Sequence, residues 1–217
     1  MVVEMKKKVL YVYGYGSSSE GHTATWIKEN LLDAEVYCFK YDQYHPDVAI
    51  PYLCQLVHDL DIDIIIGSSL GGWYAMHVAS ICQLSGIYIN PLTDITLAST
   101  IEYVSSDNRL VNNLVKYAED HPLFSSKEHW IGYRWDDCED GHYSILIWSD
   151  NDEVIGRKKI LPTEFHQNFS TKYIVPNGGH QLTDEEKKKY LIPAYERLVN
   201  DIIPKINNFY KKTLIIP

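Results

Sequence analysis

The run Ile64-Ile65-Ile66-Gly67-Ser68-Ser69-Leu70-Gly71-Gly72 constrains this chain more than any other stretch. A short apolar run stops at Gly-x-Ser-x-Gly, and a helical pattern starts at once at Trp73, Tyr74, Ala75 and Met76. Strand, sharp turn and helix in that order make a nucleophile elbow. Such a turn forces its serine into a strained backbone conformation. Only small residues two positions to either side let strand and helix approach each other. The pattern therefore predicts the Ser69 hydroxyl above the carboxyl end of a parallel strand, with a helix N-terminus beneath it.

Around the elbow, strand and helix patterns alternate. Residues 8–13, 35–39, 62–66, 86–89, 144–148 and 172–175 read as short strands. Helical spacing covers 22–32, 48–60 and 72–83, with Ile50, Leu53, Val57 and Leu60 on one stripe and Pro51 in that helix's first turn. A last helix opens near Thr183 with Asp184, Glu185 and Glu186 in its first turn, and Pro204 is expected to interrupt it. The charges between 185 and 189 read as its solvated face. Short apolar strands separated by helices predict a compact, mostly parallel sheet covered by helices on both faces, the α/β class. Residues 92–143 break the rhythm and are too many for a simple connection.

A serine hydroxyl needs a base to take its proton, an acid to orient that base, and donors for the oxyanion. In a doubly wound sheet all of these lie at the carboxyl ends of strands. Of nine histidines, His180 alone lies in a glycine-rich loop directly after a strand and before the terminal helix. Strand 144–148 runs into Ser149-Asp150-Asn151-Asp152-Glu153, which makes Asp152 the expected acid and Asp150 its alternative. The backbone N–H groups of Leu70 and of Tyr15, in the loop after the first strand, are the expected oxyanion donors. Gly14 and Gly16 do not open a dinucleotide fingerprint, because Ser19 stands where its third glycine belongs.

Composition narrows the partners. The 217-residue chain fits one domain, 1–217, with a full core. A formal net charge of −9 speaks against non-specific nucleic-acid binding. None of the four cysteines falls in a zinc-type Cys-x-x-Cys pair, so no metal site is expected. No apolar stretch reaches membrane-spanning length, and the lysine-rich start followed by a strand is unlike a signal peptide, which makes the cytoplasm the expected location. The number of copies in solution stays open.

These residues resemble the α/β-hydrolase superfamily, and more narrowly the small bacterial YqiA-like esterases. The likeness rests on Gly67-Ser68-Ser69-Leu70-Gly71-Gly72 with its aromatic pair, Asn90-Pro91, Asp152-Glu153-Val154 and Gly179-His180. It runs from about residue 8 to 203 and is tight only at those motifs. The order Ser69, Asp152, His180 is the Ser…Asp…His order of α/β-hydrolases. The resemblance implies cleavage of small carboxylic esters without a cofactor. It also implies that 92–143 is a cap or lid insertion. Tyr13 stands where those esterases usually have histidine, which changes the expected pocket wall. Tyr13, Trp130 and Trp135 are the expected pocket residues, the two tryptophans being part of an aromatic set of the 92–143 segment with Tyr103, Tyr117, Phe124 and Tyr133. The alternatives are a thioesterase or other acyl hydrolase, and a catalytically silent hydrolase-fold binding protein.

Overall fold

The computed structural model describes residues 6–93, 107–121, 143–155 and 171–204. Its centre is a six-stranded sheet, built in chain order from β1 (Lys7–Val12), β2 (Ala34–Tyr37), β3 (Ile64–Ser68), β4 (Ser85–Ile89), β5 (Ser144–Ser149) and β6 (Thr171–Val175). The spatial order is β2-β1-β3-β4-β5-β6, and every pairing is parallel. Ile64, Ile65 and Ile66 are all fully buried, so both faces of the sheet are covered. Burial of each isoleucine contributes about 1.5–3 kcal/mol.

The chain steps from β1 out to β2, then back across to β3, and from there moves in one direction only. Because parallel crossovers are right-handed, the reversal puts the first helix on the opposite face from the helices of the later crossovers. Packing agrees with this division. Helix α1 (His22–Asn30) meets the C-terminal helix, where Lys187 lies over the ring of Trp26 at 5.2 Å. Helices α2 (Pro46–Leu60) and α3 (Leu70–Cys82) pack on each other, and α4 (Asn108–Asp120) joins them where Tyr117 meets Trp73 edge to face. The reversal also opens a crevice between the carboxyl ends of β1 and β3, where doubly wound sheets hold their ligands.

Two helices differ from the sequence pattern. Helix α2 starts at Pro46, two residues earlier than expected, so Pro51 is interior rather than in the first turn. Pro51 is tolerated because it lies on the exposed side. The terminal helix, α5, spans 184–202 and changes its winding: α at Asp184–Glu186, π at Lys187–Leu191, α at Ile192–Arg197 and π again at Leu198–Ile202. The first π turn has a local cause. Pro193 has no N–H, and its ring would press on the carbonyl four residues back. Bonding from Ile192 N–H to the Lys187 carbonyl widens the turn just ahead of it. Thr183 closes a capping box with Glu186 at the start of α5.

Residues 94–106 and 122–142 lie outside the described residues, and with them Tyr103, Phe124, Trp130, Tyr133 and Trp135. Of the expected cap, α4 is described. Among the described residues no helix is long and apolar enough to cross a membrane.

Candidate active site

Ser69 is the residue between β3 and α3, with φ 54° and ψ −127°. A side chain seldom adopts that conformation, which costs about 1–3 kcal/mol and persists only where the surroundings enforce it. The enforcement comes from close packing. A Cβ on Gly67 would stand 2.6 Å from the Gly71 carbonyl oxygen, and a Cβ on Gly71 would collide with the carbonyl oxygens of Val12 and Tyr13. Glycine at both positions lets α3 start directly against β1 and β3. Below the turn, the hydroxyls of Ser68 and Tyr11 hydrogen-bond at 2.8 Å.

Three side chains from distant parts of the chain meet above the crevice. His180 Nε2 lies 2.8 Å from Ser69 Oγ, and His180 Nδ1 lies 2.8 Å from Asp152 Oδ2. The carboxylate can only accept, so Nδ1 carries the proton and Nε2 accepts from the Ser69 hydroxyl. Asp152 is held on its other oxygen, where Oδ1 accepts the N–H groups of Val154 at 2.9 Å and Ile155 at 2.8 Å. Its side chain is 1% exposed and that of His180 10%, so their attraction is only weakly screened by water. Asp150, the alternative acid, points elsewhere and accepts the Asn177 N–H at 2.6 Å.

The other expected residues divide. Leu70 and Tyr15 both border the same cavity as Ser69 and His180, which has a volume of about 470 Å³. Leu70 is the first residue of α3, so its N–H has no acceptor within the helix. The β1 loop passes directly over Ser69: a Cβ on Gly14 would stand 2.9 Å from Ser69 Cβ. The Tyr15 hydroxyl donates to Asp107 Oδ2 at 2.7 Å, and Asp107 also caps α4 through the Leu110 N–H at 3.2 Å. This bond to the Tyr15 hydroxyl is the main reason the Asp107 carboxyl lies below its ordinary range. Tyr13 does not border the cavity. Tyr13 is 4% exposed and its ring packs against Tyr41 at 5.0 Å, while the Tyr41 hydroxyl donates to the Tyr13 carbonyl. Tyr41 fills the space behind β1, and this corrects the expectation that Tyr13 forms a pocket wall. Tyr117 likewise packs on Trp73 and His77 instead of roofing the cavity.

Four further residues bear on the site without having been assigned a part in it from sequence. Asn90, 2% exposed, donates to the carbonyls of Gly179 at 3.2 Å and His180 at 2.8 Å. Glu153 Oε2 accepts the His180 N–H at 2.9 Å. The pair Asn90-Pro91 and the residue after the acid were visible as motifs, but their hydrogen bonds cross from strand to strand. Lys187 and His22 border the cavity, although the pattern assigned 185–189 to water and gave His22 no context. Among the described residues, no group of three or more His, Cys, Asp or Glu side chains is arranged to hold a metal ion.

Comparison with solved structures finds the same architecture. The α/β-hydrolase enzyme MGS-MChE2, from a metagenome of lagoon sediments at Mar Chica, Morocco, is 15% identical, with TM-score 0.61 over 89% of this chain and 90% of its own. Est1E from Butyrivibrio proteoclasticus, solved with ferulic acid bound, is 14% identical, with TM-score 0.60 over 88% of this chain and 90% of its own. Among curated sequences, the UPF0227 protein YcfP of Escherichia coli is 23% identical over 168 residues, 71% of this chain and 93% of YcfP. A UPF0227 protein of Pectobacterium atrosepticum is 22% identical over 156 residues, 65% of this chain and 87% of its own. The model of the family described as "Uncharacterised protein family (UPF0227)" matches residues 8–189. A match over that span, together with the shared parallel-sheet architecture, makes this chain a member of the UPF0227 family with the α/β-hydrolase fold.

Proposed function

We propose that this protein is a serine hydrolase that cleaves a small carboxylic ester through an acyl-enzyme. The observation that carries the reading is the unbroken hydrogen-bonded chain Asp152–His180–Ser69, with 2.8 Å at each link. Ser69 Oγ attacks the ester carbonyl while His180 Nε2 takes its proton. Asp152 fixes the tautomer and stabilises the imidazolium that forms. The N–H groups of Leu70 and Tyr15 hold the oxyanion. As the tetrahedral intermediate collapses, the imidazolium gives its proton to the departing alcohol. Water then attacks the acyl-enzyme by the same route, releases the acid and returns the proton to Ser69. No step calls for a cofactor.

The same reading takes 1–217 as one domain in which 92–143 caps the site. Asp107 supports this, because it ties the start of α4 to the Tyr15 loop.

The test is hydrolysis of short p-nitrophenyl esters beside matched acyl thioesters. Turnover of the esters with kcat/KM above that of the thioesters supports the reading. A reversed order makes the protein a thioesterase. The acid is tested by Asp152→Asn against Asp150→Asn. The first is expected to lower kcat by about 10⁴-fold, as loss of the orienting acid does in this kind of site, and a larger loss at position 150 contradicts the assignment.

A further inference from the structure

The cavity beside Ser69 has one wall that ester chemistry alone does not require. Its lining is mostly uncharged, and among the described lining residues Lys187 is the only one with a fixed charge. Lys187 is 1% exposed. Removing an ammonium from water costs several kcal/mol unless it is well partnered. Its partners are few. Asp184 Oδ1 accepts at 2.7 Å, but that carboxylate is 53% exposed and therefore screened by water. His22 Nδ1 stands 3.3 Å away, and the Trp26 ring supports the charge from one side. A second source of positive potential borders the same cavity. Its lining includes His22 and Thr23, the first turn of α1, where Gly21 provides no side-chain cap and no acidic residue is present. In a chain of net charge −9, a buried ammonium and an uncapped helix N-terminus converge on one end of one cavity.

We propose that this end of the cavity is a subsite for an anionic group, and that the substrate is an ester whose acyl part carries a carboxylate. The carboxylate accepts from Lys187 Nζ, with the first-turn N–H groups of α1 as further donors. There it adds an acceptor to an ammonium whose carboxylate partner, Asp184, is half exposed and screened by water. This inference rests on the esterase reading and specifies its substrate class.

The experiment compares kcat/KM for mono-p-nitrophenyl adipate and p-nitrophenyl hexanoate. The two acyl chains have equal length and differ in the terminal carboxylate. The wild-type protein is expected to prefer the adipate ester. Lys187→Met is expected to lower the adipate-to-hexanoate ratio about tenfold or more, the scale of one hydrogen bond to a charged group. Asp184→Asn changes an exposed side chain and leaves Lys187 in place. It is expected to raise the ratio by freeing the ammonium from its carboxylate. A ratio that moves in neither variant overturns the proposal. Wild-type protein that cleaves the hexanoate ester and not the adipate ester overturns it while the esterase reading stands. Folded protein that cleaves neither overturns the esterase reading, and the proposal with it.

Discussion

Asn90 Nδ2 donates to the carbonyl oxygen of His180 at 2.8 Å. The same side chain bonds Ser149 twice, through Nδ2 to Ser149 Oγ at 3.0 Å and through Oδ1 from the Ser149 N–H at 2.7 Å. One amide therefore fastens the ends of β4 and β5 to the histidine loop. Its backbone is left-handed, with φ 41°, a conformation asparagine tolerates better than most residues. Asn90→Ala is expected to lower the unfolding free energy in urea by about 2–4 kcal/mol, because it leaves buried polar groups without partners. Asn90→Asp keeps the backbone tolerance but turns acceptors towards two carbonyls. It is expected to lower kcat at least as much as the alanine variant, with KM nearly unchanged. An unchanged kcat in both variants makes Asn90 a structural brace only.

The strain at Ser69 can be measured separately from chemistry. Ser69→Gly and Ser69→Ala both remove the hydroxyl. Only glycine accommodates φ 54° without cost. In thermal or urea unfolding the glycine variant is expected to be about 1 kcal/mol more stable than the alanine variant. Equal stabilities contradict the strain.

Gly71 stands where α3 starts against β1, and a Cβ there would collide with the carbonyl oxygens of Val12 and Tyr13. Backbone cannot yield as a flexible side chain does. Gly71→Ala is expected to destabilise the protein by about 3 kcal/mol or more, the upper range for overpacking. The effect reads as a lowered unfolding midpoint, and a midpoint within a degree of wild type contradicts it.

Asp107 joins the Tyr15 loop to α4, and the Tyr15 hydroxyl holds its carboxyl below the ordinary carboxylate range. A lowered folded value means the native state favours the ionised form. The stabilisation is complete above the unfolded value and is lost as pH falls through the folded one. Asp107→Asn removes that dependence. Its unfolding midpoint is expected to lie below wild type at pH 7 and to converge with it as pH falls towards 3. Curves that stay parallel over this range contradict the contribution of Asp107.

Much of this arrangement was legible in the sequence, and what was not has physical causes. Strands inside a doubly covered sheet are continuous apolar runs, so Ile64–Ile66 announced β3, and Gly67 and Gly71 announced the turn after it. Ser69 and His180 are 111 residues apart and Asp152 and His180 are 28 apart, yet all three follow strands, and the strand order brings them together. Lys187 stands four residues before buried Leu191, on the same face of the helix, but its charge groups it with the solvated residues around it. Besides Asp184, its neighbours His22 and Trp26 come from α1 at the other end of the chain. Tyr13 failed for a similar reason, since its packing partner Tyr41 lies in a loop with no periodic signal.

The most direct measurement is the intact mass of the protein after treatment with a fluorophosphonate probe. Wild-type protein is expected to gain one adduct, which peptide mapping places on Ser69, and Ser69→Ala to gain none. Labelling that persists in Ser69→Ala, or folded wild-type protein that takes no label, contradicts Ser69 as the nucleophile.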